Sequence, residues 1–140
     1  MEEQLQKALG YWAEAGEKPY EVLIEEGIYD FFIDHLLNSS LKLNGCIYRG
    51  TRRHADLEIG EKLLYTYPTS WTYNKNIAKL FVEESQNGVI LILCSKNPIQ
   101  AIENHQNSHG EDELVVNPLS LEIVNKYEDN GLIILEVTPQ

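Results

Sequence analysis

The sequence is poor in cysteine and in positive charge, and it has no long apolar run. Its two cysteines, Cys46 and Cys94, are far apart and form no CxxC pair, a pattern that excludes a disulfide-dense secreted scaffold and a cysteine zinc site. We therefore expect both to be free, mostly buried thiols in a reducing compartment. The longest apolar runs, 89–94 and 132–135, are far too short to span a bilayer.

Acidic residues outnumber basic residues by two to one. The chain has 22 Asp and Glu against 11 Lys and Arg, which gives a formal net charge of −11. Such a chain lacks the electrostatic footprint of a non-specific nucleic-acid binder, and anionic lipid would repel it. We expect protein partners with basic or arginine-bearing surfaces, and no nucleic acid or membrane partner. The acidic N-terminus, Met-Glu-Glu-Gln, has no apolar stretch behind it, so we expect no secretory signal and a cytoplasmic location.

The 140 residues are enough for one domain with its own core, and 43% of them are apolar. We expect a single domain, 1–140, with a helical part over 1–44 and a β-rich part over 45–140. In the first part, apolar residues recur at helical spacing up to Trp12. Pro19 stands where a second helix would begin, and a third apolar series runs over 28–36.

After residue 45 the apolar pattern changes to that of strands. The continuous apolar run 89–93 predicts a strand covered on both faces, and a short helix is predicted over 74–83 with Thr72 or Asn74 as its N-cap. About six strands are predicted, over 46–50, 63–67, 89–93, 113–116, 119–126 and 132–137. Helices at one end and strands at the other favour an α+β fold with a largely antiparallel sheet.

Three short patches have residue types that favour a binding or catalytic site. The first is Tyr48-Arg49-Gly50-Thr51, at the end of the first predicted strand. An arginine beside a glycine lets a guanidinium and a backbone N–H approach an anion together. Arg52 and Arg53 follow, so three of the few positive charges fall within five positions. The alternative is an arginine in a surface ion pair.

The other two patches are a hydroxyl-rich turn and an acidic pair. Thr69-Ser70-Trp71-Thr72 stands between a predicted strand and a predicted helix, where it can bind a ligand or simply cap the helix. Glu111 and Glu113 are two residues apart, so on a strand they point to the same face. The alternative for this pair is a solvated acidic loop.

The order of the three patches resembles the mono-ADP-ribosyltransferase family, in its Arg–Ser–Glu branch, over about residues 45–138. Arg49 looks like the first-strand arginine of that family, Ser70-Trp71-Thr72 like its Ser-Thr-Ser motif, and 111–113 like its Glu-x-Glu motif. The middle residue of the Ser motif, Trp71, is bulkier than usual in the family. The resemblance implies N-terminal helices packed on a mainly antiparallel split β-sandwich.

The resemblance also implies a substrate and roles. NAD is the implied substrate, without a metal, and Glu113 would stabilise the ribosyl cation that forms when nicotinamide leaves. Glu111 would orient the acceptor and take its proton, Ser70 would steady the ribose and Glu113, and Arg49 would hold the phosphates. The residues that the resemblance places at NAD are Arg49, Gly50, Thr51, Ser70, Trp71, Thr72 and Tyr73.

The implied activity is transfer of ADP-ribose from NAD to a target protein. In the family, Glu-x-Glu accompanies arginine acceptors, so Glu111 points to an arginine side chain on an exposed basic surface. Two other functions stay open: an NAD glycohydrolase, or a catalytically idle acidic protein that blocks a basic partner. Trp71 or Tyr73 would either stack on nicotinamide or belong to the core.

Overall fold

The computed structural model describes residues 3–14, 18–83, 87–105 and 113–140. Within these ranges the chain forms four helices and eight strands. The helices are α1 (Glu3–Glu14), α2 (Pro19–Glu25), α3 (Tyr29–Leu37) and α4 (Lys75–Leu80). The strands are β1 (Cys46–Thr51), β2 (Lys62–Leu64), β3 (Thr69–Thr72), β4 (Val89–Cys94), β5 (Ala101–Glu103), β6 (Glu113–Val116), β7 (Ser120–Asp129) and β8 (Leu132–Pro139). No helix in the described part of the chain is long and apolar enough to cross a membrane.

The strands pair in the order β2-β7-β8-β4-β1-β3-β6-β5. Every pair is antiparallel except β4 with β8. Strands β1 and β3 share one register position, Tyr48 with Thr72, so the order divides there into a five-stranded and a three-stranded part. Ile47 of the first part and Trp71 and Leu114 of the second belong to one buried core. The structure thus confirms the predicted α+β class with a mainly antiparallel, divided sheet.

Strand β4 is covered on both faces, as its continuous apolar run predicts. Val89, Leu91 and Leu93 alternate into the main core. Ile90 packs on the opposite face in a smaller cluster with Ala78 of α4. Only Cys94 of β4 is exposed, and α4 packs against the outer face of the sheet.

The N-terminal helices cover the outer face of the three-stranded part. Their buried residues form a cluster with Val115 of β6, which points away from the main core. The cluster includes Leu5, Leu9 and Trp12 of α1, Leu23 of α2 and Phe32 of α3. Helix α1 therefore lies directly behind β3 and β6, the strands that carry the second and third patches.

Two of the eight strands were not among the predicted six. The segment Thr69–Thr72 is strand β3, which pairs with β6 at four successive positions, and not a turn between a strand and a helix. Strand β5 has three residues, fewer than an alternating pattern needs to be recognised. Both strands owe their conformation to pairing with β6, a long-range partner that local patterns do not reveal.

The prediction of free cysteines is wrong. Cys46 and Cys94 form a disulfide that joins the first residue of β1 to the last residue of β4. The two residues are directly opposite in the antiparallel register, with their Cα atoms 4.3 Å apart. They are also not mostly buried, since Cys94 is exposed. The pairing of β1 with β4 brings the two cysteines together, and no CxxC pattern in the sequence indicates this pairing.

Candidate active site

A cleft of about 710 Å³ opens over β1, β3 and the start of β6, between the beginning of α2 and helix α4. Arg49 of β1, Ser70 of β3 and Glu113 of β6 all line it. These strands are consecutive in the sheet order, which is why residues distant in the sequence meet. The structure therefore brings together one residue from each of the three patches.

Ser70 connects the cleft to helix α1. Its hydroxyl oxygen accepts a hydrogen bond of 2.7 Å from the indole Nε1 of Trp12. Its backbone carbonyl accepts a bond of 3.0 Å from Nη1 of Arg49. The bond from Trp12 orients the Ser70 hydroxyl. The O–H of Ser70 can still donate a hydrogen bond to a ligand.

Arg49 is held by an aromatic side chain as well as by Ser70. Its Nε donates to the Tyr65 hydroxyl at 3.3 Å, and the guanidinium carbon lies 5.4 Å from the Tyr65 ring centroid. The same hydroxyl is 3.3 Å from Nε2 of His54. Burial, together with the charges of Arg49 and Arg53, lowers the pKa of His54 below its ordinary value of 6.5. The His54 ring is thus kept neutral beside Arg49 at neutral pH.

Glu113 is held by a residue that the sequence did not single out. Its Oε1 accepts a hydrogen bond of 2.7 Å from the side-chain amide of Asn104. Asn104 is only 4% exposed and follows directly after β5. An isolated asparagine before an acidic stretch carries no recognisable signal, so sequence reasoning missed it. Glu111, the predicted partner of Glu113, lies outside the described residues.

Gly50 and Thr51 also line the cleft. A Cβ on Gly50 would collide with the backbone carbonyl oxygen of Ala78, so only glycine lets β1 and α4 approach this closely. The Thr51 hydroxyl accepts a bond of 3.2 Å from the backbone N–H of Arg53. The two residues thus shape the side of the cleft where the arginines lie.

Of the two alternatives for Trp71 and Tyr73, stacking on nicotinamide or a place in the core, the packing of both side chains favours the core. Trp71 borders the cleft but is only 2% exposed, and its indole packs in the main core and donates to Thr69 Oγ1 at 2.8 Å. Alternation along β3 sends it inward while Ser70 points out. Tyr73 packs against the same core and is not among the described residues that line the cleft. Thr72 does line it, and its hydroxyl accepts from the N–H of Asn74, the N-cap of α4.

Basic residues gather at the cleft of this acidic chain. Four of the eleven basic residues of the chain line it, namely Lys18, Arg49, Arg52 and Arg53. A positive cleft on a chain with net charge −11 favours an anionic ligand. Among the described residues, no group of three or more His, Cys, Asp or Glu side chains is placed to hold a metal ion.

Sequence and structure comparisons give different results. No protein-family model matches the chain, and no curated protein is significantly similar to it. Solved structures do match, and the three described next are ADP-ribosyltransferases or a domain of one.

Vis from Vibrio splendidus, solved with agmatine, is 17% identical with a TM-score of 0.63, over 96% of this chain and 68% of that chain. Exoenzyme S from Pseudomonas aeruginosa, solved with human 14-3-3 protein beta and carba-NAD, is 15% identical with a TM-score of 0.70, over 98% and 74%. The Salmonella SpvB domain is 14% identical with a TM-score of 0.66, over 99% and 100%. The chain therefore has the ADP-ribosyltransferase fold.

Proposed function

We propose that this chain is an NAD-dependent mono-ADP-ribosyltransferase that modifies a protein acceptor. One observation carries the proposal: Arg49, Ser70 and Glu113 line a single positive cleft in an ADP-ribosyltransferase fold. A guanidinium, a directed hydroxyl and a carboxylate are the groups that a dinucleotide pyrophosphate, a ribose and a developing ribosyl cation require.

The proposed reaction breaks the bond between C1′ of the ribose and the nicotinamide nitrogen. Nicotinamide leaves with the electron pair of that bond, and positive charge develops on the ribose as it does in glycoside hydrolysis. The Glu113 carboxylate stabilises the transition state more than the bound substrate, because its attraction to the ribose grows as the positive charge forms. Arg49 holds the phosphates, and Ser70 orients the ribose and Glu113. The acceptor then bonds to C1′ and loses a proton.

An arginine side chain is the acceptor that the residues favour. A guanidinium stays protonated in water, so it needs a carboxylate to attract it and to receive its proton. Glu111, two positions before Glu113, supplies a carboxylate of that kind. Vis, which has the same fold, was solved with agmatine, and agmatine carries a guanidinium group.

The experiment that tests the activity is nicotinamide release from NAD. We expect the wild-type protein to release nicotinamide and Glu113→Gln to do so at least about 100-fold more slowly. Glu103→Gln is the matched control, because Glu103 is a carboxylate of β5 that lies against His105 and not among the residues lining the cleft. A wild-type protein that neither binds nor splits NAD would contradict the proposal and favour the idle acidic binding protein.

A second experiment separates transfer from hydrolysis. Intact-mass spectrometry of agmatine and of an arginine-rich protein, each incubated with enzyme and NAD, should show the gain of one ADP-ribose. We expect Glu111→Gln to lose this transfer while retaining nicotinamide release. Release without any mass gain on either acceptor would make the chain an NAD glycohydrolase.

A further inference from the structure

We propose that Asn104 is a positioning residue for Glu113, fixing the direction of its carboxylate by a bond that is itself anchored on helix α1. The inference rests on the proposed function, because it gives Asn104 its importance through the role of Glu113. It concerns a residue that lies outside the three patches.

Two hydrogen bonds tie Asn104 to Glu113. The backbone N–H of Asn104 donates to the Glu113 carbonyl at 2.9 Å, which extends the β5–β6 pairing by one position. The Asn104 side-chain Nδ2 donates to Glu113 Oε1 at 2.7 Å. Asn104 and Glu113 are thus joined by one backbone and one side-chain hydrogen bond. The Glu113 carboxylate cannot rotate away without breaking the side-chain bond, which is partly shielded from water.

The Asn104 amide is also held from behind. Nδ2 lies 3.3 Å from the backbone carbonyl oxygen of Leu9 in α1 and donates to it, and Asn104 is only 4% exposed. Leu9 is itself buried in the cluster that binds α1 to β6. A buried amide with two acceptors has one favourable orientation, so it presents its N–H to Glu113 in a fixed direction.

A neutral donor suits the chemistry better than a charged one. A lysine or arginine at this position would form an ion pair with Glu113 and offset the negative charge that stabilises the ribosyl cation. The Asn104 amide orients the carboxylate and adds no opposing charge of its own. Helix α1 holds Ser70 in the same manner, through the Trp12 indole. One helix thus supports two of the three groups in the cleft.

The test compares Asn104→Asp and Asn104→Leu with the control Asn117→Asp. Asn117 occupies the equivalent place at the other end of the β5–β6 pair and is also buried. Its backbone N–H donates to the Gln100 carbonyl, and its side-chain amide donates to the Gln100 side chain and not to Glu113. Nicotinamide release is measured against NAD concentration and pH for each protein. Circular dichroism establishes that each variant is folded.

We expect both Asn104 variants to lose about 10- to 100-fold in kcat, with KM for NAD changed less than about 3-fold. Asn104→Asp should also move the acidic limb of the pH–rate profile to higher pH, because a second carboxyl group opposes ionisation of Glu113. Asn117→Asp should leave both the kcat and the profile as in the wild type. A side chain that did not contact Glu113 would not produce the shift in pH, and the loss of kcat in folded Asn104→Leu tests the positioning role without an added charge.

The inference and the proposed function fail in distinguishable ways. If the wild type releases nicotinamide and Asn104→Asp matches it in kcat and pH profile, the positioning role is overturned and the function stands. If the wild type releases none, the function fails. In that case a pH titration of the ¹³C-labelled Glu113 carboxyl by NMR decides whether Asn104 contacts it. A titration midpoint that is raised in Asn104→Asp but not in Asn117→Asp supports the contact. A midpoint that is unchanged in Asn104→Asp overturns it.

Discussion

Tyr65 gives the Arg49 guanidinium both a hydrogen-bond acceptor and an aromatic surface. The hydroxyl accepts from Nε, the ring lies 5.4 Å from the guanidinium carbon, and the Ser70 carbonyl accepts from Nη1. A cation held in this way loses little conformational freedom when it binds an anion. The proposed phosphate-binding arginine is thus already oriented.

Removing the Tyr65 hydroxyl should therefore weaken NAD binding. Tyr65→Phe keeps the ring over Arg49 but loses one hydrogen bond, so we expect Kd for NAD to rise about 3- to 10-fold. Tyr73→Phe is the control, because Tyr73 follows directly after β3 and packs against the main core. Calorimetric titration measures both, and an unchanged Kd in Tyr65→Phe would contradict the account.

His54 should make stability depend on pH. Burial, and then the charges of Arg49 and Arg53, lower its pKa in the folded state below the ordinary 6.5. The unfolded chain therefore takes up this proton first, and the stability present above about pH 6.5 is lost as the pH falls from there through the lowered folded value. Urea unfolding between pH 7.5 and 5 should show a shallower decline in His54→Asn than in the wild type. Asn is chosen because His54 has φ of 76°, a conformation that Asn tolerates. Equal slopes would contradict the expectation.

At the scale of elements, strand β1 and helix α4 meet at Gly50. A side chain there would collide with the Ala78 carbonyl, a backbone atom that cannot rotate away. We expect Gly50→Ala to lower the free energy of unfolding by about 1–3 kcal/mol.

Gly10 provides the matched control for Gly50. It lies within α1, and a Cβ there would meet nothing within 4 Å. Gly10→Ala should raise the free energy of unfolding by about 0.5–1 kcal/mol, because alanine is the better helix former. Urea unfolding measures both variants, and a shift of both in the same direction would contradict the close approach of β1 and α4.

The disulfide joins β1 to β4 across 48 residues of sequence. Closing a loop of this length restricts the unfolded chain and stabilises the fold by about 2–4 kcal/mol. Thermal unfolding with and without reductant should show a lower Tm after reduction, and the Cys46→Ser/Cys94→Ser variant should be insensitive to reductant. A Tm that reductant does not change in the wild type would contradict the bond.

Patterns within the sequence predict the long elements and miss the short ones. The run 89–93 is apolar at every position, and its environment in the structure agrees with that pattern. Thr69–Thr72 is a strand only because β6 pairs with it. The contacts of Tyr65 and Asn104 depend on strand register in the same way, so no local pattern shows that they hold Arg49 and Glu113.

At the scale of the whole molecule, the placement of Arg49, Ser70 and Glu113 in one cleft follows from the sheet order. Strands β1, β3 and β6 are neighbours in the sheet, although β2, β4 and β5 lie between them in the sequence. Composition and periodicity give no strand order, so the prediction of convergence came from resemblance to a family. The catalytic role of Glu113 is a proposal that Glu113→Gln tests, and the roles of Arg49 and Ser70 are proposals that a structure with bound dinucleotide tests.

The distribution of charge also belongs to this scale. The chain has net charge −11, yet four of its basic residues gather at the cleft. Such a field draws an anionic dinucleotide to the cleft and repels acidic proteins from the remaining surface. This is the physical basis for proposing a basic, arginine-bearing acceptor.

The most direct test of the central claim is a crystal structure of this protein with carba-NAD. We expect one dinucleotide in the cleft, with its phosphates within hydrogen-bond distance of the Arg49 guanidinium and its nicotinamide-side ribose against Ser70 and Glu113. A dinucleotide bound elsewhere on the surface, or bound in the cleft without touching Arg49 and Glu113, would contradict it.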